Sequence, residues 1–463
     1  MTELNRTTGP AKPGASARWV AFDTLRAVHE SDAYANLLLP KAIARAGLSS
    51  ADAGLATELT YGTLRREGTY DAIIADAAGR PVDAIDPVVL DALRLGTHQL
   101  LSMRTPSHAA VNETVRQVRQ AAGKPASGFA NAVLRRVSER GADEWLDRLD
   151  AAARSEDERL GLRFAHPVWV IRAFRRALAA EGRADELEAL LEADNASPVV
   201  TLAALPGLAD VPVDATPTPY SPIGFRSPGG DPGALVAASG GRVRVQDEGS
   251  QLAALALSRA TPVQAGEQWL DLCAAPGGKT AVLAAEALAH GAHLEANELS
   301  PARAGLVRES VAGVPLPVPV SEEDGRTRAA RSRYDRILVD APCTGLGALR
   351  RRPEARWRKQ PSDVPELAGL QSDLLTAALA ALKPGGIVAY VTCSPHLAET
   401  AGIVAEALRA HGDEIEELDA RAVLASLADA PLDLPDATGS GRAQLWPHRH
   451  GTDAMSISLL RRR

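Results

Sequence analysis

The sequence predicts an α/β protein in three parts: an all-helical N-terminal domain, a small α/β connecting subdomain, and a C-terminal domain wound around a parallel sheet. Three observations carry that reading. Apolar residues recur at helical spacing through the first 145 positions, the pattern then loosens, and from Val243 onward short apolar runs alternate with Ala/Leu-rich segments. A chain of 463 residues is about three times a typical domain, so a division of this kind is expected.

In chain order, residues 1–16 read as a flexible tail, low in hydrophobicity around Thr7 to Ser16. The helical domain is expected over 17–145. There Ala21, Leu25 and Val28 fall at i, i+4 and i+7, Val111, Val115, Val118 and Ala122 repeat the spacing, and Ala130, Val133, Leu134 and Val137 repeat it again. Such stripes make a core. The connecting subdomain is expected over 156–240. It holds a helical stretch from Trp169 to Ala193, an apolar run from Val199 to Ala204 and a Pro/Gly-rich passage from Pro206 to Pro232. The last domain, 241–463, offers the strands Gln268 to Leu272, His293 to Asn297, Arg336 to Asp340 and Ile387 to Thr392.

With 45% hydrophobic and 24% charged residues the composition is globular, which excludes wholesale disorder. No run approaches the ~18 apolar residues of a membrane span, and the opening residues lack the apolar core of a signal peptide, so a soluble cytoplasmic protein is expected. Cys273, Cys343 and Cys393 are too few and too widely spaced for a disulfide framework. None forms a C-x-x-C pair, and no metal is expected. The net charge of −7 argues against indiscriminate coating of nucleic acid. Yet Arg104 to Arg140 carries seven basic residues against two acidic, and Arg326 to Lys359 eleven against three. Together these runs point to a polyanion that touches the protein at selected places.

The run Leu270-Asp-Leu-Cys-Ala-Ala-Pro-Gly-Gly-Lys-Thr280 follows a strand and opens a helix, as nucleotide-binding loops do. Its glycines let the backbone approach a ligand closely. Gly-Gly-Lys-Thr is also the tail of a P-loop, but that loop needs a glycine where this chain has Cys273. Glu298 stands twenty residues past Gly278 at the end of the next strand, the place of an acid that accepts both ribose hydroxyls.

Val339-Asp-Ala-Pro-Cys-Thr-Gly345 and Val391-Thr-Cys-Ser-Pro395 each end a strand, where reacting groups of open α/β sheets gather. Cys273 sits inside its loop and reads as a small buried hydrophobe, whereas Cys343 and Cys393 read as reactive thiols facing one pocket. A chemistry that uses such thiols is attack on a pyrimidine ring. C5 of cytosine becomes nucleophilic enough to take a methyl group once a thiolate has added to C6. A thiol with a pKa near ~8.5 is mostly protonated at neutral pH, so the site must stabilise the thiolate. Asp340 cannot do that, but it can hydrogen-bond the cytosine amino edge or a protonated N3. Spacing alone does not say which cysteine attacks.

The set LDLCAAPGGKT, ANELSPARA, DAPCTG and VTCSP resembles the bacterial 16S ribosomal RNA cytosine-5 methyltransferases that use S-adenosylmethionine. ELTYGTLR, LRLGTHQLL, HAAVNETV and GFANAVLRR resemble that family's helical domain, which is similar to the RNA-binding antitermination factor NusB; VQDEGSQL and LWPHRHGTDAM extend the resemblance over most of the chain. The resemblance implies a Rossmann-like methyltransferase sheet behind a NusB-like RNA-binding domain. It implies that Cys273, Ala274, Ala275, Pro276, Gly277, Gly278 and Lys279 line S-adenosylmethionine, that Glu298 holds its ribose, that Asp324 meets the adenine amino group, and that Asp340 lies beside both cofactor and target base. It makes Cys393 the nucleophile and Cys343 the residue that assists breakdown of the adduct. Ser456 stands where the family usually has phenylalanine, and Ala355 where a larger apolar residue is usual. Arg351, Arg352 and Arg358 are expected on RNA phosphates.

The substrate implied is 16S ribosomal RNA, deproteinised or early in assembly, with the protein a monomer. His396 is near enough to be considered for the C5 proton, but a lone histidine after a strand is more often structural. Two other readings compete: a P-loop NTPase, which gives the cysteines no task, and a non-catalytic ribosome-assembly factor, against which the intact set of Asp340, Cys343 and Cys393 speaks.

Overall fold

The computed structural model describes residues 16–31, 33–329, 334–435 and 439–463. The expected tail lies outside these except for Ser16, as do Arg331 and Arg333 of the second basic run. The chain forms two compact units, residues 1–171 with 351–358, and residues 172–350 with 359–463.

The first unit is helical: α1 (Ala17–Ser31), α2 (Ala35–Ala46), α3 (Ser50–Arg65), α4 (Glu67–Ala78), α5 (Pro87–Leu101), α6 (Ser107–Ser138), α7 (Ala142–Ala152) and α8 (Glu156–Phe164). Helix starts are written locally. Asp86 caps α5 by accepting from Val88 N–H at 2.9 Å ahead of Pro87 at the first turn, and Ser49 caps α3 by accepting from Asp52 N–H at 3.2 Å. Gly123 (φ +90°) breaks α6 into two helical runs, with Pro125 in the first turn of the second. Ala21, Leu25, Val28, Val111, Val118, Ala130, Val133, Leu134 and Val137 are all buried in one core, and the partly buried Val115 and Ala122 pack against it. The predicted stripes are therefore the inner faces of these helices.

In the second unit, β1 (Thr201–Ala204), β2 (Gly224–Arg226) and β3 (Val243–Val245) make a small antiparallel sheet in the order β2-β1-β3. The main sheet comprises β4 (Gln268–Asp271), β5 (His293–Asn297), β6 (Val320–Ser321), β7 (Tyr334–Asp340), β8 (Leu382–Thr392), β9 (Ile415–Leu418), β10 (Ala443–Gln444) and β11 (Ser456–Arg462). Its order is β10-β11-β8-β7-β4-β5-β6, with β9 also on β11. The strands from β4 to β8 are parallel, while β11 returns antiparallel to β8. The sheet is thus mixed rather than wholly parallel. Two apolar clusters, one holding Leu252, Leu283, Leu338 and Leu459, the other Leu270, Ile337, Leu375 and Val388, form its core. No described helix is long and apolar enough to cross a membrane.

Candidate active site

From β4 the chain adds β5 and β6 on one side, then returns to place β7 and β8 on the other. The strand order therefore reverses between β4 and β7, the place at which open α/β sheets bind their ligands beyond the carboxyl ends of the strands. The loop after β4 enters the helix Gly278–His290 through Gly277. Gly277 has φ +102°, and a Cβ there would stand 2.5 Å from Ser310 Cβ and 3.0 Å from Val307 Cα. Glycine is demanded here by the neighbouring helix Pro301–Val311 as much as by any ligand. At Gly278 the nearest atom to such a Cβ is Gln246 at 3.6 Å, so this is the position that leaves backbone open.

Cys343 and Cys393 follow the adjacent parallel strands β7 and β8, in which Asp340 pairs with Val391. This register brings the two sulfurs to 3.5 Å, both as free thiols. The Cys393 sulfur beside it, and then burial, push the Cys343 thiol well up. Cys273 is apart from this pair. Burial pushes its thiol up as well, and its neighbours Asp271, Asp340 and Glu298 add to the effect, which suits an unreactive lining residue.

Lys279 Nζ reaches Asp340 Oδ2 at 2.7 Å. Burial works against its charge, but Asp340 overcomes that, and Cys393 and Asp271 also favour the ammonium. Lys279, which the sequence placed only in the cofactor loop, thus brings a cation to the strand end that carries Asp340. Asp271 lies beneath, fully buried, accepting from Thr280 Oγ1 at 2.7 Å; burial pushes its carboxyl up to about 7.

On the other side of β4, Glu298 is buried after β5 and accepts from Ser300 N–H at 3.1 Å; Arg303 stands 3.6 Å away, and both contacts fall on Oε1. Asn297 is a positioning residue that sequence reasoning missed. Its amide donates to Leu272 O at 3.2 Å and Glu323 O at 3.0 Å, and its oxygen accepts from Glu323 N–H at 3.2 Å, tying the loops that carry Cys273, Glu298 and Asp324. Its signal was an amide flanking an acidic residue at a strand end, with nothing in the spacing to single it out. Asp324 lies at the surface with Arg326 across it, Nη2 to Oδ2 at 2.6 Å and Nε to Oδ1 at 3.0 Å. Arg326 holds its carboxyl below the ordinary range. A carboxylate has about four lone-pair sites, so an amino donor can still share it. His396 caps the short turn Leu397–Glu399 by accepting from Ala398 N–H at 3.2 Å on Nδ1, and burial pushes its pKa down.

Among the described residues, three cations of the second basic run are buried. Arg336 is buried and donates to Leu257 O at 2.9 Å and Glu267 Oε2 at 2.8 Å, and Arg350 is buried and donates to Gly451 O at 2.9 Å. In the first unit, Arg356 is fully buried and donates to Arg65 O at 3.2 Å and Ala165 O at 3.1 Å. Arg358 donates from Nη2 to Val28 O at 2.8 Å and Ala33 O at 2.6 Å. These guanidinium groups satisfy the orphaned carbonyls of helix and loop ends. Arg351 and Arg352 are exposed, and Arg352 lies over the Tyr34 ring at 5.4 Å. By contrast, all seven cations of the first run, Arg104 to Arg140, are exposed.

Residues 260–461 match the family described as 16S rRNA methyltransferase RsmB/F, and residues 15–139 match the NusB family. The Mycobacterium tuberculosis protein Rv1407 is 50% identical over 467 residues, covering 99% of both chains. Ribosomal RNA small subunit methyltransferase B of Pseudomonas putida is 34% identical over 416 residues, covering 87% of this chain and 91% of its own. The chain belongs to the RsmB/F methyltransferase family. The crystal structure of PH0851 shares its fold with a TM-score of 0.79 at 21% identity, covering 98% of this chain and all of that one.

As a member of the RsmB/F family the protein is a methyltransferase with S-adenosylmethionine as methyl donor. The loop suits that donor better than a nucleoside triphosphate. Asp271, Asp340 and Glu298 are charged neighbours of Cys273, a negative environment that disfavours a row of phosphates. Glu298 beyond β5 is an acid suited to ribose hydroxyls.

Proposed function

We propose that this protein is an RNA cytosine-5 methyltransferase that modifies 16S ribosomal RNA through a covalent adduct between Cys393 and C6 of the target cytosine. The observation that carries the reading is the pair of thiols 3.5 Å apart at the ends of adjacent strands, with the Lys279–Asp340 ion pair beside them. Methyl transfer to nitrogen or oxygen has no use for two thiols; transfer to an unactivated ring carbon needs one to enter and leave.

Cys393, as a thiolate favoured by the Lys279 cation, adds to C6 and makes C5 electron-rich. S-adenosylmethionine supplies, when bound, a methyl carbon on a sulfonium, the electrophile that such a ring carbon can take. Asp340 hydrogen-bonds the amino edge or protonated N3 of the base and so stabilises the charge of the adduct. A base then takes the C5 proton, the electron pair of that C–H bond restores the C5–C6 double bond, and the C6–sulfur bond breaks so that Cys393 departs as thiolate. Cys343, still protonated and in contact with that sulfur, stabilises it as it leaves. Residues Cys273 to Lys279 line the methionine and ribose end of the donor, Glu298 accepts from its ribose, and Asp324 meets its adenine amino group.

The helical unit docks the RNA through the exposed cations between Arg104 and Arg140 and through Arg351 and Arg352. A stacked base hides its ring face, so the target is single-stranded or splayed out, in rRNA that is deproteinised or early in assembly. The protein acts as a cytoplasmic monomer.

The test is transfer of labelled methyl from S-adenosylmethionine to deproteinised small-subunit rRNA, with Cys393→Ala alongside. Label is expected as 5-methylcytosine with the wild type only, while Cys393→Ala still binds the donor. Label in any other nucleoside, or full activity of Cys393→Ala, overturns the reading.

A further inference from the structure

Glu399 lies six residues past Cys393 and is fully buried, yet no step above uses it. Its Oε1 accepts from Thr344 N–H at 2.7 Å and from the Gln371 amide at 3.3 Å. Its Oε2 accepts from the Ser394 hydroxyl at 2.6 Å and from the Thr344 hydroxyl. Thr344 directly follows Cys343, and Ser394 directly follows Cys393. Their two hydroxyls are themselves 3.1 Å apart. Gln371 also donates to the carbonyl of Pro342, the residue before Cys343, at 2.7 Å, and the Tyr390 hydroxyl holds Glu399's own carbonyl at 2.8 Å.

A carboxylate is costly to bury unless its lone pairs are satisfied, and well-packed apolar residues can hold two loops together as firmly. What the carboxylate adds is direction. One oxygen joins the hydroxyls that follow the two cysteines, and the other fixes the backbone just after Cys343. The same loops are pinned a second time at Gly347, whose N–H donates to Cys393 O at 2.8 Å. A Cβ on Gly347 would stand 2.0 Å from Ala454 O and 2.8 Å from Cys393 O, so this contact admits only glycine.

We propose that Glu399 is the positioning residue that sets the distance between the two thiols. Held between the Gly347 contact and the Glu399 carboxylate, the strand-end loops have no freedom to draw apart, and the sulfurs keep their 3.5 Å contact through addition and release. The inference rests on the two-cysteine reading proposed above.

Glu399→Gln keeps the shape but places an amide donor where two hydroxyls now donate. Its kcat is expected to fall about 100-fold, the usual consequence of misplacing a reacting group by an ångström. KM for S-adenosylmethionine should stay within about twofold, because the donor side is untouched. A protein–RNA adduct that survives denaturation should accumulate, because Cys343 no longer meets the departing sulfur. Ser394→Ala, which removes one donor and no charge, should show the same split with a smaller loss, and it decides the matter if Glu399→Gln does not fold. Thr344→Ser, which keeps both bonds, should behave as wild type. The proposal is overturned if Glu399→Gln, or Ser394→Ala in its place, retains kcat within about threefold, or if kcat and donor affinity fall together. Cys393→Ala run in parallel separates the two claims. If it still transfers methyl, the two-cysteine reading fails; if it is inactive while Glu399→Gln is normal, only the positioning role fails.

Discussion

A thiol attacks carbon only as its thiolate, and in the mechanism proposed above the side chain that favours this form is Lys279. Its ammonium is bonded to Asp340 at 2.7 Å, and Cys393 also favours its charge. Lys279→Met is therefore expected to move the acidic limb of the kcat pH profile upward, because more alkaline solution is needed to ionise Cys393 without the cation. An unmoved limb would show that Lys279 acts on the donor alone. In the same mechanism Cys343 carries the opposite requirement, a proton that stays on. Cys343→Ala should let the adduct form and then persist, seen as a protein–RNA species that survives denaturation, and normal turnover would remove its release role. The sequence displayed the identity of all these residues. What it lacked was their contacts, since Lys279 and Asp340 are 61 positions apart and the motif around each is complete without the other.

At the scale of elements, legibility followed periodicity. The stripes of α1 and α6 and the strand His293–Asn297 lie where spacing places them, because an inner face must be apolar whatever it packs against. Strand Leu382–Thr392 begins five residues before the expected Ile387, since its first half carries Pro384, Gly385 and Gly386 and reads as a turn. The antiparallel return of Ser456–Arg462 was not legible at all, because pairing direction is set by the route of the chain and not by the residues of a strand. Polar contacts between helices are similarly silent in sequence. His29 on α1 meets Asp91 on α5 at 2.8 Å and Glu67 on α4 at 3.3 Å. Burial works to lower its pKa, but the bonds to these carboxylates prevail and push it up to about 9. A group whose folded pKa is raised stabilises the fold fully below its unfolded value, near ~6.5, and loses that contribution as pH rises through about 9. Urea unfolding of the wild type and of His29→Gln should accordingly differ by up to about 3 kcal/mol at pH 6 and converge by pH 10. A difference independent of pH would mean that His29 contributes packing only.

For the whole molecule, a net charge of −7 means that RNA is held by local cations against a repulsive average, so which arginines face solvent matters more than how many there are. The segment 351–358 holds both buried and exposed arginines within eight residues, all of them part of the helical unit. Arg356 is spent internally: it donates to Arg65 O and Ala165 O, and its charge helps keep the buried Glu67 ionised. Arg351 and Arg352 stand at the surface. Arg356→Met should therefore lower the stability of the full chain by about 2–4 kcal/mol, through orphaned carbonyls and a less compensated Glu67, in denaturant unfolding. The double variant Arg351→Ala/Arg352→Ala should cost at most about 1 kcal/mol in the same experiment, most of it the Tyr34 contact. Titration of rRNA at a series of salt concentrations should rank the two the other way. The surface pair is expected to reduce the slope of log affinity against log salt by about one to two charges, and Arg356→Met to leave that slope unchanged wherever the protein remains folded. If the surface pair changed neither affinity nor slope, the segment would serve the helical fold alone, and the RNA would have to be held by the cations between Arg104 and Arg140.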